Sequence, residues 1–221
     1  MIYAVKAIKT AGVDLNGKIG LTFVPDEETG GLLGSKYLSD AGILGKNGIG
    51  MLIPEPTDGT IWNANRGAVS LQITVKGKPA HVGCHYRGSN AFEKMILVAN
   101  ELMALQKEVA SRATGFNIKP DPARQSILMM GGRGEGGSNF NLVPERFVFT
   151  VDRRINPEED LETEKHRLLD VLGALRKDGI DLEVEILQEG ASSGVAEDTL
   201  LGRALARNIA SITGSVPEFE M

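Results

Sequence analysis

Apolar and polar positions follow two regular patterns between residues 69 and 186. Strict alternation predicts strands, because successive side chains of a strand point to opposite faces, and apolar residues three or four apart predict helices. Six such segments occur in the order strand, helix, strand, strand, helix, strand. Their ranges are 69–75, 90–109, 126–130, 147–151, 161–175 and 182–186.

That order is the split βαβ pattern of ferredoxin-like α+β domains. The leucine and methionine stripes of its two helices are interpreted as core positions. Residues 156–159 (Asn-Pro-Glu-Glu) have the composition of a helix start, with a capping residue followed by proline in the first turn. We therefore expect an α+β (βαββαβ) domain over residues 62–189.

The first 61 residues show a different pattern of apolar positions. Their pattern predicts a helix, a strand at 19–23, a second helix ending near Gly42 and a strand at 48–53. Two neighbouring parallel strands with a right-handed crossover would form part of a mostly parallel α/β domain. We expect residues 190–221 to return to this domain through a helix at 197–211, and residues 215–221 to approach a strand that finds no partner.

Three carboxylates follow the two predicted strands of the first domain. Glu27 and Glu28 come after one strand and Glu55 after the next, so all three are expected at one sheet edge. Adjacent carboxylates that point in different directions suit a metal ligand beside a general base. The same residues also suit helix N-termini and solvated turns. With Asp26 they leave a magnesium site built from hard oxygen ligands as a third alternative.

The histidines have a spacing that zinc sites use. His81 and His85 are four residues apart with Cys84 between them, which on a helix would place both rings on one face. Pro79 and Gly83 favour a loop instead, which argues against this zinc site. His166 falls on the polar side of a leucine-rich helix and is expected at the surface.

Composition narrows the class of protein. The chain has 221 residues, 42% hydrophobic and 24% charged, with a formal net charge of -5, which argues against a nucleic-acid partner. No apolar run approaches a membrane span, and the first residues lack a signal-peptide pattern. One cysteine excludes an intrachain disulfide, so we expect a reducing, cytoplasmic location.

Residues 132–137 match G-x-G-x-x-G, but no helix is predicted after them and nucleotide binding is rejected.

Several short motifs together resemble one family. Residues 25–34 (PDEETGGLLG), followed by Glu55-Pro56-Thr57, resemble the zinc metallopeptidase and deacylase family of acetylornithine deacetylase, succinyl-diaminopimelate desuccinylase, aminoacylase and carboxypeptidase G. The order of the later motifs agrees with that family. They are Arg66-Gly67, 77–81 (GKPAH), 88–91 (GSNA), 141–144 (NLVP) and 152–154 (DRR).

The resemblance implies a dizinc hydrolase of amide or peptide bonds that acts on an N-acyl amino acid or a peptide. In that family Glu27 would be the general base, while Glu28 and Glu55 would each bind one zinc. His81, from the inserted domain and often from the partner subunit, would stabilise the developing oxyanion. The substrate would be held by Asn141 and Arg154. Without the resemblance, these two residues are interpreted as a turn asparagine and a surface arginine at a strand end.

The family pattern also requires an H-x-D segment and a bridging aspartate before Met1, and a zinc-binding histidine after Met221. This chain is therefore expected to be an incomplete catalytic unit that cannot hold two zinc ions or turn over substrate alone. The alternative is a non-catalytic dimerisation or interaction module, formed by the inserted domain. The resemblance implies a homodimer through residues 62–189.

Overall fold

The computed structural model describes residues 1–221, apart from the side chain of Thr29. The chain divides into two compact units, Met1–Gly59 and Thr60–Met221. The first unit contains helix α1, a 3-10 helix and helix α2. Their bounds are Ile2–Thr10, Glu27–Thr29 and Ser35–Asp40, respectively.

The predicted strands of the first unit are absent from its described residues. Residues 19–23 and 48–53 have no regular secondary structure, and Phe23 is 68% exposed. A strand is stable only when its N–H and C=O groups pair with a neighbouring strand, and neither segment is paired here. The expected parallel sheet over residues 1–61 is therefore wrong for this structure, whereas both expected helices are found.

The second unit contains ten strands, three helices and two further 3-10 helices. In chain order they are β1 Ile61–Trp62, β2 Ala64–Asn65, β3 Gly67–Lys76, β4 Ala80–His81, a 3-10 helix Val82–Arg87, α3 Ala91–Ala110, a 3-10 helix Asp121–Arg124, β5 Ile127–Gly136, β6 Leu142–Val143, β7 Arg146–Ile155, α4 Leu161–Lys177, β8 Leu182–Gly190, β9 Ser193–Gly194, α5 Leu200–Thr213 and β10 Phe219–Glu220.

The main sheet has the strand order β5-β7-β3-β8, and every neighbouring pair is antiparallel. The element order predicted for residues 69–186 is thus found, with strands that extend further than the apolar runs. Residues 132–137 lie within and just after β5, whose register with β7 shifts between Met130 and Gly134. They do not connect a strand to a helix.

One side of this sheet packs against α3 and α4 and forms the core. The alternating residues Val69, Leu71, Ile73 and Val75 of β3 are fully buried there. Burying a side chain of this size contributes about 1.5–3 kcal/mol. Leu102 of α3 and Leu168 and Leu172 of α4 belong to the same cluster, so the α4 stripe is core. The α3 stripe is core only in part, because Phe92, Ile96 and Met103 are each more than 40% exposed.

Side-chain caps determine where the two core helices begin. Asn90 Oδ1 accepts hydrogen bonds from the backbone N–H groups of Phe92 and Glu93 at the start of α3. The start predicted at residues 156–159 is wrong by one turn, because α4 begins at Leu161 with Asp160 as its cap.

Short strand pairs join distant parts of the second unit. β1 pairs with β10 in parallel, and β2 pairs with β9 in antiparallel orientation. Residues 219–220 therefore do have a partner, contrary to the expectation for 215–221. The predicted last helix is found as α5. No helix in the described part of the chain is long and apolar enough to cross a lipid bilayer.

Candidate functional site

The side of the main sheet opposite the helices, here named the open face, is polar. Odd-numbered residues of β3 and β7 face the helices, so Ser70 of β3 and Asp152 and Arg154 of β7 lie on the open face. Ser70 is directly opposite Asp152 in the register. The sequence pattern therefore brings these three residues to one place.

Hydrogen bonds hold Arg154 on the open face. Its Nε donates to Asp152 Oδ2 at 2.9 Å, and the Ser70 hydroxyl donates to Asp152 Oδ1 at 2.8 Å. Arg154 remains 43% exposed at its side chain. Among the described residues, the two Nη atoms of Arg154 make no hydrogen bond, so the forked edge of the guanidinium is available to an anion.

A second arginine lies near this group. Burial lowers the pKa of Arg66, and the positive charge of Arg154 lowers it further against the opposing effect of Glu159. Arg66 donates from Nε to Asn156 Oδ1 at 2.9 Å and from Nη2 to Gln125 O at 3.1 Å. Hydrogen bonds thus hold the guanidinium of Arg66 against the protein, whereas the two Nη atoms of Arg154 are available to a ligand.

The pairing of β4 with β6 brings two further predicted site residues together. His81 is opposite Leu142, and the Val82 N–H donates to the Asn141 carbonyl at 2.8 Å. His81 is exposed, and its Nδ1 accepts a hydrogen bond from the Gly83 N–H at 3.2 Å. A neutral His81 therefore carries its proton on Nε2, from which it can donate.

The three predicted carboxylates all lie in the first unit. Glu27 and Glu28 begin the 3-10 helix Glu27–Thr29 and do not lie on an extended strand end. Their side chains still diverge, because successive residues of a 3-10 helix are about 120° apart. Glu55 lies outside any helix or strand, between two prolines. All three residues are exposed.

These residues do not fit a complete metal site. In the part of the chain that the structure describes, no group of three or more His, Cys, Asp or Glu side chains is placed to hold a metal ion. A catalytic zinc takes three protein ligands. His81 caps the 3-10 helix Val82–Arg87 and His85 lies inside it, with non-helical backbone at Cys84, so the H-x-x-x-H segment is not the α-helix that would place both rings on one face. His166 is exposed, as predicted.

Two features were missed by the sequence reasoning. Ser70 and Asp152 were not singled out as functional, although alternation places both on the face of Arg154. Arg153 was noted only as part of a motif, yet it continues the apolar positions Phe149 and Val151 and is buried. A surface cleft of about 450 Å³ lies elsewhere in the second unit, and its lining contains none of the predicted site residues.

Comparison with known proteins identifies relatives of this chain. It is 31% identical over 170 residues to aminoacylase-1 of Sus scrofa, which covers 75% of this chain and 41% of that protein. It is 26% identical over 176 residues to a probable succinyl-diaminopimelate desuccinylase of Staphylococcus epidermidis, covering 72% of this chain and 43% of that protein. The chain thus spans about two fifths of the length of the curated relatives it matches.

Solved structures share the fold. The aminobenzoyl-glutamate utilization protein of Klebsiella pneumoniae superposes with a TM-score of 0.56 at 19% identity, over 85% of this chain and 46% of that chain. A family model described as a peptidase dimerisation domain matches residues 63–180. This agrees with the resemblance that the sequence motifs indicate. The chain therefore belongs to the M20 peptidase family, and residues 63–180 are its dimerisation domain.

Proposed function

We propose that this chain is part of an M20-type hydrolase that cleaves amide or peptide bonds in N-acyl amino acids or small peptides. The observation that carries this proposal is the match of residues 63–180 to the peptidase dimerisation domain. The relatives that match beyond this domain, aminoacylase-1 and a probable desuccinylase, support hydrolysis of an acylated amino group.

Arg154 is proposed to hold the carboxylate of the substrate. Its Nη atoms form a planar fork that matches the two oxygens of a carboxylate, and such charged pairs are roughly twice as strong as neutral hydrogen bonds. Its side chain is 43% exposed, and its Nε already donates to Asp152. This geometry supports binding of an anion to the two Nη atoms of Arg154.

His81 and Asn141 are proposed to act on the same substrate. A neutral His81 with its proton on Nε2 could donate to the oxyanion that forms when an amide carbonyl is attacked. The β4–β6 pairing places the Asn141 backbone next to that histidine. His81 ends β4 and Asn141 directly precedes β6, and neither residue is buried.

Glu27 is proposed as the general base, and Glu28 and Glu55 as one ligand each for a pair of zinc ions. Their exposure and position in one unit support roles as ligands that other groups complete. Because the described residues hold no cluster of three ligands, the remaining ligands would have to be groups other than these. The free Cys84 is compatible with a reducing compartment, and we place the protein in the cytoplasm.

We propose that residues 1–61 and 190–221 belong to the catalytic part of the protein and that residues 62–189 form an inserted ferredoxin-like domain. The sheet order β5-β7-β3-β8, with α3 and α4 on one side, supports the ferredoxin-like topology. Small-molecule substrates would bind to the open face of this sheet.

A binding experiment tests the substrate class. Titration of the chain with N-acetyl-L-methionine, compared with its carboxamide, should show binding of the acid only, and Arg154→Ala should weaken it tenfold or more. Arg133→Ala is the matched control, since Arg133 is an exposed arginine of β5 paired with Glu135. Equal binding of acid and amide would contradict the proposal. Metal-dependent hydrolysis of this acid by the chain alone would contradict the expectation that the chain is an incomplete catalytic unit.

A non-catalytic dimerisation module is the second candidate function. The α3 surface supports it, because Phe92, Ile96 and Met103 are each more than 40% exposed on a helix next to the edge strand β5. A second copy of the chain would cover these side chains. Sedimentation should show a dimer that Ile96→Glu dissociates, whereas Ile212→Glu, at an exposed position of α5, should not. A monomeric wild-type chain would contradict this candidate.

A further inference from the structure

We propose that Asp152 and Ser70 are positioning residues, which hold the guanidinium of Arg154 so that its Nη edge faces a carboxylate ligand. The inference rests on the proposed function of Arg154 and adds to it two residues and a mechanism. Ser70 orients Asp152, and Asp152 orients Arg154.

The hydrogen bonds define a chain of three groups across two strands. Ser70 lies opposite Asp152, and its hydroxyl donates to Oδ1, which leaves Oδ2 for the Nε of Arg154. Asp152 and Arg154 are two residues apart on one strand and so share a face. Each carboxylate oxygen has its own donor, which fixes the plane of the carboxylate and the direction of the Nε–H group.

The pattern of bonds indicates positioning rather than simple charge pairing. A carboxylate that binds an arginine in the common bidentate mode accepts hydrogen bonds from two guanidinium nitrogens. Asp152 accepts a hydrogen bond from Nε alone. An exposed pair of this kind adds at most modestly to stability. Its effect is to remove rotational freedom from Arg154, so that less entropy is lost when an anion binds.

A second positive charge lies near Arg154. Arg66 is close enough to Arg154 for its pKa to be lowered by the second positive charge. Arg66 itself is tied to Asn156 and to backbone carbonyls. Glu159 is the carboxylate that acts on Arg66, whereas Asp152 bonds Arg154, and only Arg154 has an open fork.

The test uses the Nε–Hε resonance of Arg154 in the whole chain, assigned by its loss in Arg154→Lys. Exchange of this proton with water should be slow in the wild type and markedly faster in Ser70→Ala. Ser70→Thr, which keeps the hydroxyl, should restore slow exchange. Gln72→Ala is the control, because Gln72 lies on the same face of β3 and bonds Glu185 instead.

Affinity provides the second measurement. Titration with N-acetyl-L-methionine should show about fivefold weaker binding to Ser70→Ala, the loss expected for one net hydrogen bond, and no change in Gln72→Ala. Unchanged Hε exchange in Ser70→Ala would overturn the positioning role. Hε exchange could be faster in Ser70→Ala while the wild type binds no carboxylate. That outcome would support the positioning role but overturn the proposed function of Arg154.

Discussion

Arg153 and Glu164 form a buried ion pair between strand β7 and helix α4. Arg153 Nη2 lies 2.7 Å from Glu164 Oε2, and their side chains are 1% and 6% exposed. Arg112, just after α3, donates from Nη1 to the other oxygen of Glu164 at 2.8 Å. Glu159 accepts from Arg153 at 2.8 Å. The network thus connects the end of α3, the end of β7 and the start of α4.

Removing the charge of Glu164 should strongly destabilise the second unit. In Glu164→Gln, the buried Arg153 and the partly buried Arg112 keep Glu159 as their shared carboxylate. Breaking a buried ion pair in this way costs about 3–5 kcal/mol. Urea denaturation followed by circular dichroism would measure this loss as a lower midpoint with an unchanged slope.

Glu162→Gln is the matched control for that substitution. Glu162 lies in the same first turn of α4 and pairs with Lys165, but its side chain is 58% exposed. Exposed pairs contribute about 0–1 kcal/mol. Equal effects of the two substitutions would show that burial of the network is not what makes Glu164 important.

The same glutamate makes stability depend on pH. Burial alone would raise the pKa of Glu164, but hydrogen bonds from Arg112 and Arg153 outweigh burial and hold the pKa at about 2. A carboxyl with a depressed pKa stabilises the folded state above its unfolded pKa, and this contribution is lost as pH falls towards the folded value. The free energy of unfolding should therefore fall between about pH 4.5 and 2.

The contribution of Glu164 can be isolated by measuring how the free energy of unfolding of Glu164→Gln depends on pH in acid. Glu164→Gln carries no titrating group at this position, so its free energy of unfolding should decline less steeply over that interval than that of the wild type. Denaturant titrations at several pH values would give both slopes. Parallel slopes would assign the acid sensitivity to other carboxylates.

The sequence predicted the main sheet because both of its signals are local. Val69 to Val75 alternate since only one side of β3 faces the helices, and Leu168 and Leu172 recur at helical spacing for the same reason. Residues 19–23 alternate equally well but form no strand here, because a strand also needs a partner, which alternation does not specify. The pairing of Ile61 with Phe219 joins residues far apart in the chain and was missed for that reason.

The candidate site was predictable in its residues but not in its contacts. Motifs identified Arg154, His81 and Asn141, and the β4–β6 pairing then placed two of these segments together. The hydrogen bond from Ser70 to Asp152 depends on cross-strand register, which the sequence does not state. The burial of Arg153 could have been inferred, because it occupies an apolar position of the alternating strand β7.

Zinc should bind this chain only weakly. Glu28 and Glu55 are two carboxylates without a described third ligand, and a catalytic zinc takes three. Calorimetric titration with zinc should show no tight stoichiometric site, and Glu28→Ala should change the titration little. Tight binding that Glu28→Ala abolishes would show that the chain assembles a metal site from further ligands.

Gly77 occupies a position where no side chain fits. A Cβ there would lie 2.1 Å from the Ser89 carbonyl oxygen and 2.8 Å from that of Pro144, both backbone atoms that cannot rotate away. Gly77→Ala should therefore cost about 1–3 kcal/mol, as forced overpacking does. Because Ser89 precedes α3 and Pro144 follows β6, the shift should also disturb the connection that carries His81 and Asn141, with changed amide resonances there.

Gly173→Ala is the opposite case and serves as the control. Gly173 lies in the middle of α4, and a Cβ there would meet nothing within 4 Å. Alanine stabilises a helix interior by roughly 0.5–1 kcal/mol relative to glycine, so this variant should unfold at a higher temperature. If both substitutions raised the midpoint, the close approach of the backbones around Gly77 would not constrain that position.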